Sequence, residues 1–105
     1  MLTESINFND IQWQSTLPGS RSKIFQQNGR QLRLVEFTSE FIEPDWCVKG
    51  HIGFVLEGIL EIDFKGHIVI YPKGSGIFIP SGTENAHKAR SLTPVAQLIL
   101  VEELT

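Results

Sequence analysis

The chain has 105 residues, 41% hydrophobic and 20% charged, with a formal net charge of −3 and a pI near 5.5. That is enough for one compact domain with its own core and not for two, and neither a disordered nor a fibrous composition fits. No run of Lys or Arg offers a surplus for neutralising phosphates, and no apolar stretch is long enough to cross a bilayer, so nucleic acid and membrane are excluded as expected partners. The first ten residues, MLTESINFND, lack the basic start and apolar stretch of a secretory signal, and a cytoplasmic location is the expectation.

Residues 1–20 mix Ile6, Phe8, Ile11 and Trp13 with polar residues and close on Leu17-Pro18-Gly19. They read as an arm or an edge strand, ahead of a single domain over residues 21–105. From there apolar residues recur with period two in short runs rich in Ile, Val and Phe, which is a strand pattern, and no window shows a helical face. The clearest runs are 32–37, 51–56, 59–64, 67–71, 77–80 and 95–102. Asn28-Gly29, Glu57-Gly58, Lys65-Gly66 and Gly74 to Gly76 separate runs with residues tolerant of positive φ. Six strands in so short a chain predict an all-β sandwich or barrel.

The single cysteine, Cys47, cannot form an internal disulfide and stands as a buried apolar residue, a reactive thiol or a metal ligand. It lies in Pro44-Asp45-Trp46-Cys47-Val48-Lys49-Gly50-His51, where Asp45, Cys47 and His51 are evenly spaced. In an extended strand even spacing puts side chains on one face. Thiolate and imidazole together select Zn, Ni, Cu or Fe over Mg or Ca. The plainer reading is a buried thiol and a hydrogen-bonded histidine. Lys49 shares the parity of Cys47 and His51, so it either tunes the thiol or is a surface lysine.

The stretches GHIGFVLEGILEIDFKG and YPKGSGIFIPSGTENAHKA resemble the two consecutive motifs of the cupin superfamily, a small β-barrel or jelly roll. Gly74, Pro80 and Gly82 match the second motif, with His87 two residues later than the usual histidine. Counted back from Gly58, His51 stands where the family has its glutamate ligand, Cys47 at the second histidine and Asp45 at the first. All three differ in type from the pattern, yet each can bind a metal. The resemblance covers about residues 32–102 and implies a small cupin double-stranded β-helix with an N-terminal arm. It implies a divalent transition metal (Zn, Ni, Fe or Cu) on Cys47, His51, His87 and Asp45, four ligands if Asp45 joins and an open three-ligand site if it turns away.

Trp46, Phe54 and Phe78 either line a pocket at that site or belong to the core, with core favoured for Phe54 and Phe78. Glu57, Asp63 and His67 are expected in solvent. Naming the superfamily does not name a reaction. The expected function is a metal-binding domain that acts on or binds a small molecule, and the alternatives are a non-catalytic sensing module or a dimeric structural domain without ligand. Lone cupins commonly dimerise by packing sheets or exchanging N-terminal strands, so the resemblance also implies a homodimer.

Overall fold

A computed structural model describes residues 3–104. Its nine strands are β1 (Gln14–Leu17), β2 (Ser20–Gln27), β3 (Arg30–Thr38), β4 (His51–Glu57), β5 (Ile59–Asp63), β6 (Ile68–Pro72), β7 (Gly76–Ile79), β8 (Lys88–Ser91) and β9 (Val95–Glu103). They form a six-stranded sheet in the order β1-β2-β3-β9-β4-β7 and a three-stranded sheet in the order β6-β5-β8, with neighbouring strands antiparallel throughout. The two faces that meet bury Val35, Val55, Ile77, Ile79, Leu98 and Leu100 from the large sheet against Leu60 and Ile62 from the small one. This is an all-β jelly roll, and burial of these branched side chains is its main source of stability.

The hairpin between β2 and β3 turns at Asn28 and Gly29, both at positive φ (55° and 77°), a pair of conformations that matches the twist of the flanking strands. At Glu57-Gly58 the positive φ falls on Gly58 (76°), whereas at Lys65-Gly66 it falls on Lys65 (69°), not on Gly66.

Two strands, β2 and β8, fall outside the runs read from the sequence, while β1, at the edge of the large sheet, falls within residues 1–20, the segment read as an arm or an edge strand. In β2 the alternation is blurred, because its inward side chains, Ser22, Ile24 and Gln26, are mostly polar while its outward row contains Phe25. The expectation that Phe54 and Phe78 belong to the core is corrected, since both are exposed. Their strands alternate as expected, but the inward phase of β4 is His51, Gly53 and Val55 and that of β7 is Ile77 and Ile79. Phe54 and Phe78 take the other face. The N-terminal arm lies along its own sheet: Thr3 and Gln27 exchange two hydrogen bonds (2.7 and 3.0 Å), Lys23 donates to the Phe8 carbonyl (2.8 Å), and Arg21 and Lys23 sit over the Trp13 ring.

Candidate metal centre

Residues 40–50 cross from β3 to β4 without forming a regular strand. The crossing is pinned at three points. Cys47 and His87 exchange backbone hydrogen bonds (2.9 and 3.0 Å) as an isolated antiparallel bridge, Gly82 N–H donates to the Val48 carbonyl (3.0 Å), and Gly50 N–H donates to Ser81 Oγ (2.8 Å). Gly50 must be glycine for this approach, because a Cβ there would come within 2.8 Å of the Ile79 carbonyl oxygen and the Ser81 amide nitrogen. The bridge sets the thiol of Cys47 beside the imidazole of His87, and the start of β4 brings His51 in from the large sheet.

Cys47, His51 and His87 each offer a ligand atom, and these atoms lie within 4.8 Å of one another. His51 Nε2 is 3.6 Å from Cys47 Sγ, and the two imidazole rings meet edge to face with centroids 5.1 Å apart. His87 is buried, and Cys47 and His51 are half-buried. Each imidazole is fixed through its other nitrogen. His51 Nδ1–H donates to Glu102 Oε2 (2.6 Å) and His87 Nδ1–H donates to the Asn85 carbonyl (3.0 Å), which leaves Nε2 of each ring as the nitrogen that could coordinate a metal beside the thiol.

Glu102 is the residue the sequence reading missed. The register Ile52–Val101 places His51 next to Glu102 on the inward face, with Gln31 opposite Glu102 on β3. Gln31 Nε2 donates to Oε1 (2.8 Å), while Arg33 closes a two-pronged pair, Nε to Oε1 and Nη2 to Oε2 (both 2.8 Å). A signal was available in the sequence: Glu102 shares parity with the inward Leu98 and Leu100, so a carboxylate at that position has to be buried and paired.

Charge follows geometry. Hydrogen bonds from His51 and His87 lower the Cys47 thiol to about 5, against the opposing effect of burial. Burial pushes His51 down, but the Cys47 and Glu102 hydrogen bonds more than offset it and raise it to about 9. His87 is raised for the same reason, burial again opposing and Cys47 prevailing. Burial opposes ionisation of Glu102, yet its bonds to His51 and Arg33 hold it well below the usual carboxylate range. A second carboxylate, Glu43, accepts from the Ala89 amide at the open edge of β8 (2.7 Å). Burial raises its pKa, and it lies close enough to Cys47, His87 and His51 to feel their charges.

The remaining candidates fall elsewhere. Asp45 is exposed on a bend and is not one of the converging groups, because the even-spacing argument requires an extended strand that this segment does not form. Trp46 stands outside the site, its ring covered by Lys65 (4.9 Å) and Lys88 (4.8 Å). A cavity of about 770 Å³ opens beside the cluster, lined in part by Cys47, His51, Lys49, Arg33, Phe78 and Glu102. Phe54 does not line it.

The architecture has solved counterparts. A cupin-2 domain protein from Shewanella frigidimarina aligns over 93% of this chain and 93% of its own, with TM-score 0.67 and 25% identity. An RmlC-like cupin from the same organism covers 99% and 93%, with TM-score 0.75 and 12% identity. The chain folds as a cupin. The polyketide cyclase RemF from Streptomyces resistomycificus shares the cupin's fold over 99% of this chain and 81% of its own, with TM-score 0.79 and 16% identity. No protein-family model and no curated protein matches the chain. No helix among the described residues is long and apolar enough to cross a membrane.

Proposed function

We propose that this cupin holds a divalent transition metal (Zn, Ni, Fe or Cu) on Cys47, His51 and His87, and that the adjoining cavity admits a small molecule to the metal's open side. The observation that carries this reading is the pinning of both imidazoles through Nδ1, by Glu102 and by the Asn85 carbonyl, beside one thiol. One sulfur and two nitrogens suit a borderline or soft ion and not Mg or Ca. Three protein ligands leave a coordination position free, as in metal sites that bind or transform a ligand, and a bound ion of this kind polarises an oxygen or activates water there. That a polyketide cyclase uses the same fold supports a small-molecule role for the cavity.

The chain's own groups do the arranging. Glu102 holds the His51 ring in orientation and tautomer, Arg33 and Gln31 hold Glu102, and the Cys47–His87 bridge fixes the thiol. The cavity volume lies within the range of small-molecule sites. Elemental analysis of protein reconstituted with each metal, followed by Co²⁺ substitution, tests the reading. One metal per chain and a thiolate-to-cobalt charge-transfer band that disappears in Cys47→Ser are expected. Absence of stoichiometric metal after reconstitution overturns it.

A further inference from the structure

The polar side chains that line the cavity beside the cluster are nearly all occupied by one another. Gln26 Nε2 donates to Gln31 Oε1 (2.9 Å), Gln31 and Arg33 both donate to Glu102, and Ser81 Oγ accepts from Gly50 N–H. Glu103 is paired with Arg30. Lys49 is the exception, since its side chain has no hydrogen-bond or ion-pair partner among the described residues. Its backbone is nevertheless fixed. The Lys49 N–H donates to the Cys47 sulfur, the Val48 carbonyl before it accepts from Gly82 N–H (3.0 Å), and Gly50 after it is held on Ser81 (2.8 Å). A rigid turn therefore carries this lysine between two of the three converging groups, Cys47 and His51. Much of the remaining wall is apolar, with Ile52, Phe78 and Val101 lining it while still open to solvent.

We infer, resting on the reading that this cavity receives a small molecule, that its ligand is an organic acid with an apolar body, the carboxylate bound by Lys49 and the body laid on Ile52, Phe78 and Val101. A sugar or other neutral polyol requires several free donors and acceptors, and this lining keeps few beyond Lys49. A cationic ligand would meet like charge at Lys49 and Arg33. The carboxylates of the lining do not neutralise Lys49, because Glu102 already faces Arg33 and His51 and Glu103 faces Arg30. A divalent ion on one thiolate and two neutral imidazoles keeps one positive charge, so loading the metal enlarges the surplus. A ligand carboxylate supplies the missing negative charge where apolar walls weaken screening by water. Lys49 stood out in the sequence by its parity with Cys47 and His51. Parity fails in this segment, as Asp45 shows, but the turn brings the lysine to the same cavity by another route.

The test measures binding of two acids, phenylacetate and isocaproate, and of their neutral amides by isothermal titration. It uses the full chain both metal-loaded and chelated, with metal content determined in parallel. An exposed ion pair contributes at most about fivefold, but beside apolar walls and a second positive charge each acid is expected to bind metal-loaded wild type about tenfold more tightly than its amide. Lys49→Gln is expected to bring acid and amide within about twofold of each other while keeping wild-type metal content. Lys49→Arg, which keeps the charge, is expected to retain the preference. Lys65→Gln removes a lysine outside the cavity lining and is expected to change nothing. Lys49→Met stands in if Lys49→Gln misfolds. No saturable binding of either acid, equal binding of acid and amide by wild type, an undiminished preference in Lys49→Gln, or the same loss in Lys65→Gln overturns the acid site. Any of these on fully loaded protein leaves the metal reading intact, whereas a Lys49-dependent preference in protein that takes up no metal supports the acid site and overturns the metal reading alone.

Discussion

Replacing Glu102 by Gln removes one charge and almost no volume, and it separates orientation from packing at the centre of the site. In the native protein the carboxylate accepts four hydrogen bonds: one from His51 Nδ1 at 2.6 Å, two from Arg33 and one from Gln31, each at 2.8 Å. The amide has one oxygen in place of two and presents an NH₂ where an acceptor is needed, so either His51 or one prong of Arg33 loses its partner. Carboxylates behind metal-bound histidines contribute about 10–100-fold in metal affinity, or about 1.4–2.7 kcal/mol. The folding cost is separate. Breaking a buried ion pair costs about 3–5 kcal/mol, and since the Arg33 side chain is 26% exposed against 8% for Glu102, about 2–3 kcal/mol is the reasonable figure. Glu102→Gln should therefore fold, melt lower and bind metal 10–100-fold more weakly, measured by chelator competition below the melting range. Wild-type affinity in a folded Glu102→Gln protein would refute the claim that this carboxylate sets His51 for a metal.

Metal affinity should rise with pH from about 5 to about 9. Cys47 is already a thiolate above about 5, whereas His51 keeps its proton up to about 9 and the ion must displace it. The slope approaches tenfold per pH unit for each proton released, and chelator competition across a pH series that returned a flat line would contradict it. In the metal-free protein the His51 contribution to stability is fully present below 6.5 and lost as pH rises through about 9, while that of Glu102 is present above 4.5 and lost as pH falls. Between 6.5 and 9 the Cys47 thiolate, lowered from 9 to about 5, contributes in the opposite sense and offsets the His51 limb, so urea unfolding against pH should show the acid limb, and Glu102→Gln should flatten it. Asp45→Ala should leave metal affinity unchanged, as its exposed position outside the cluster requires, and a marked loss in the same competition assay would restore it as a ligand. Val55→Ala, at a fully buried position, should cost about 1.5–3 kcal/mol and lower the melting temperature by several degrees per kcal/mol in calorimetry.

What could be read from the sequence divides along physical lines. Local signals held: Asn28-Gly29 is a hairpin turn because few other pairs tolerate two positive φ angles in succession, and the runs with period two became strands. Cys47, His51 and His87 were named from motif spacing and do converge. Asp45 was named by the same parity and does not, since parity carries no information where Pro44 and its neighbours leave the strand conformation. Glu43 was out of reach, because its position is set by a non-local contact with the edge of β8. The misplacement of Phe54 and Phe78 has a more instructive cause. A strand covered on one side reads as strict alternation, whereas one covered on both sides reads as a continuous apolar run. Ile77-Phe78-Ile79 and Leu98-Ile99-Leu100-Val101 are runs of the second kind, and Ile52 and Phe54 extend the pattern to β4. Within one chain the fold covers only one face of these strands. Of the apolar residues left over on the other face, Ile52, Phe78 and Val101 line the cavity beside Cys47 and His51 while Phe54 does not, so the second kind of run marks where the sheet borders the site as well as where it faces solvent.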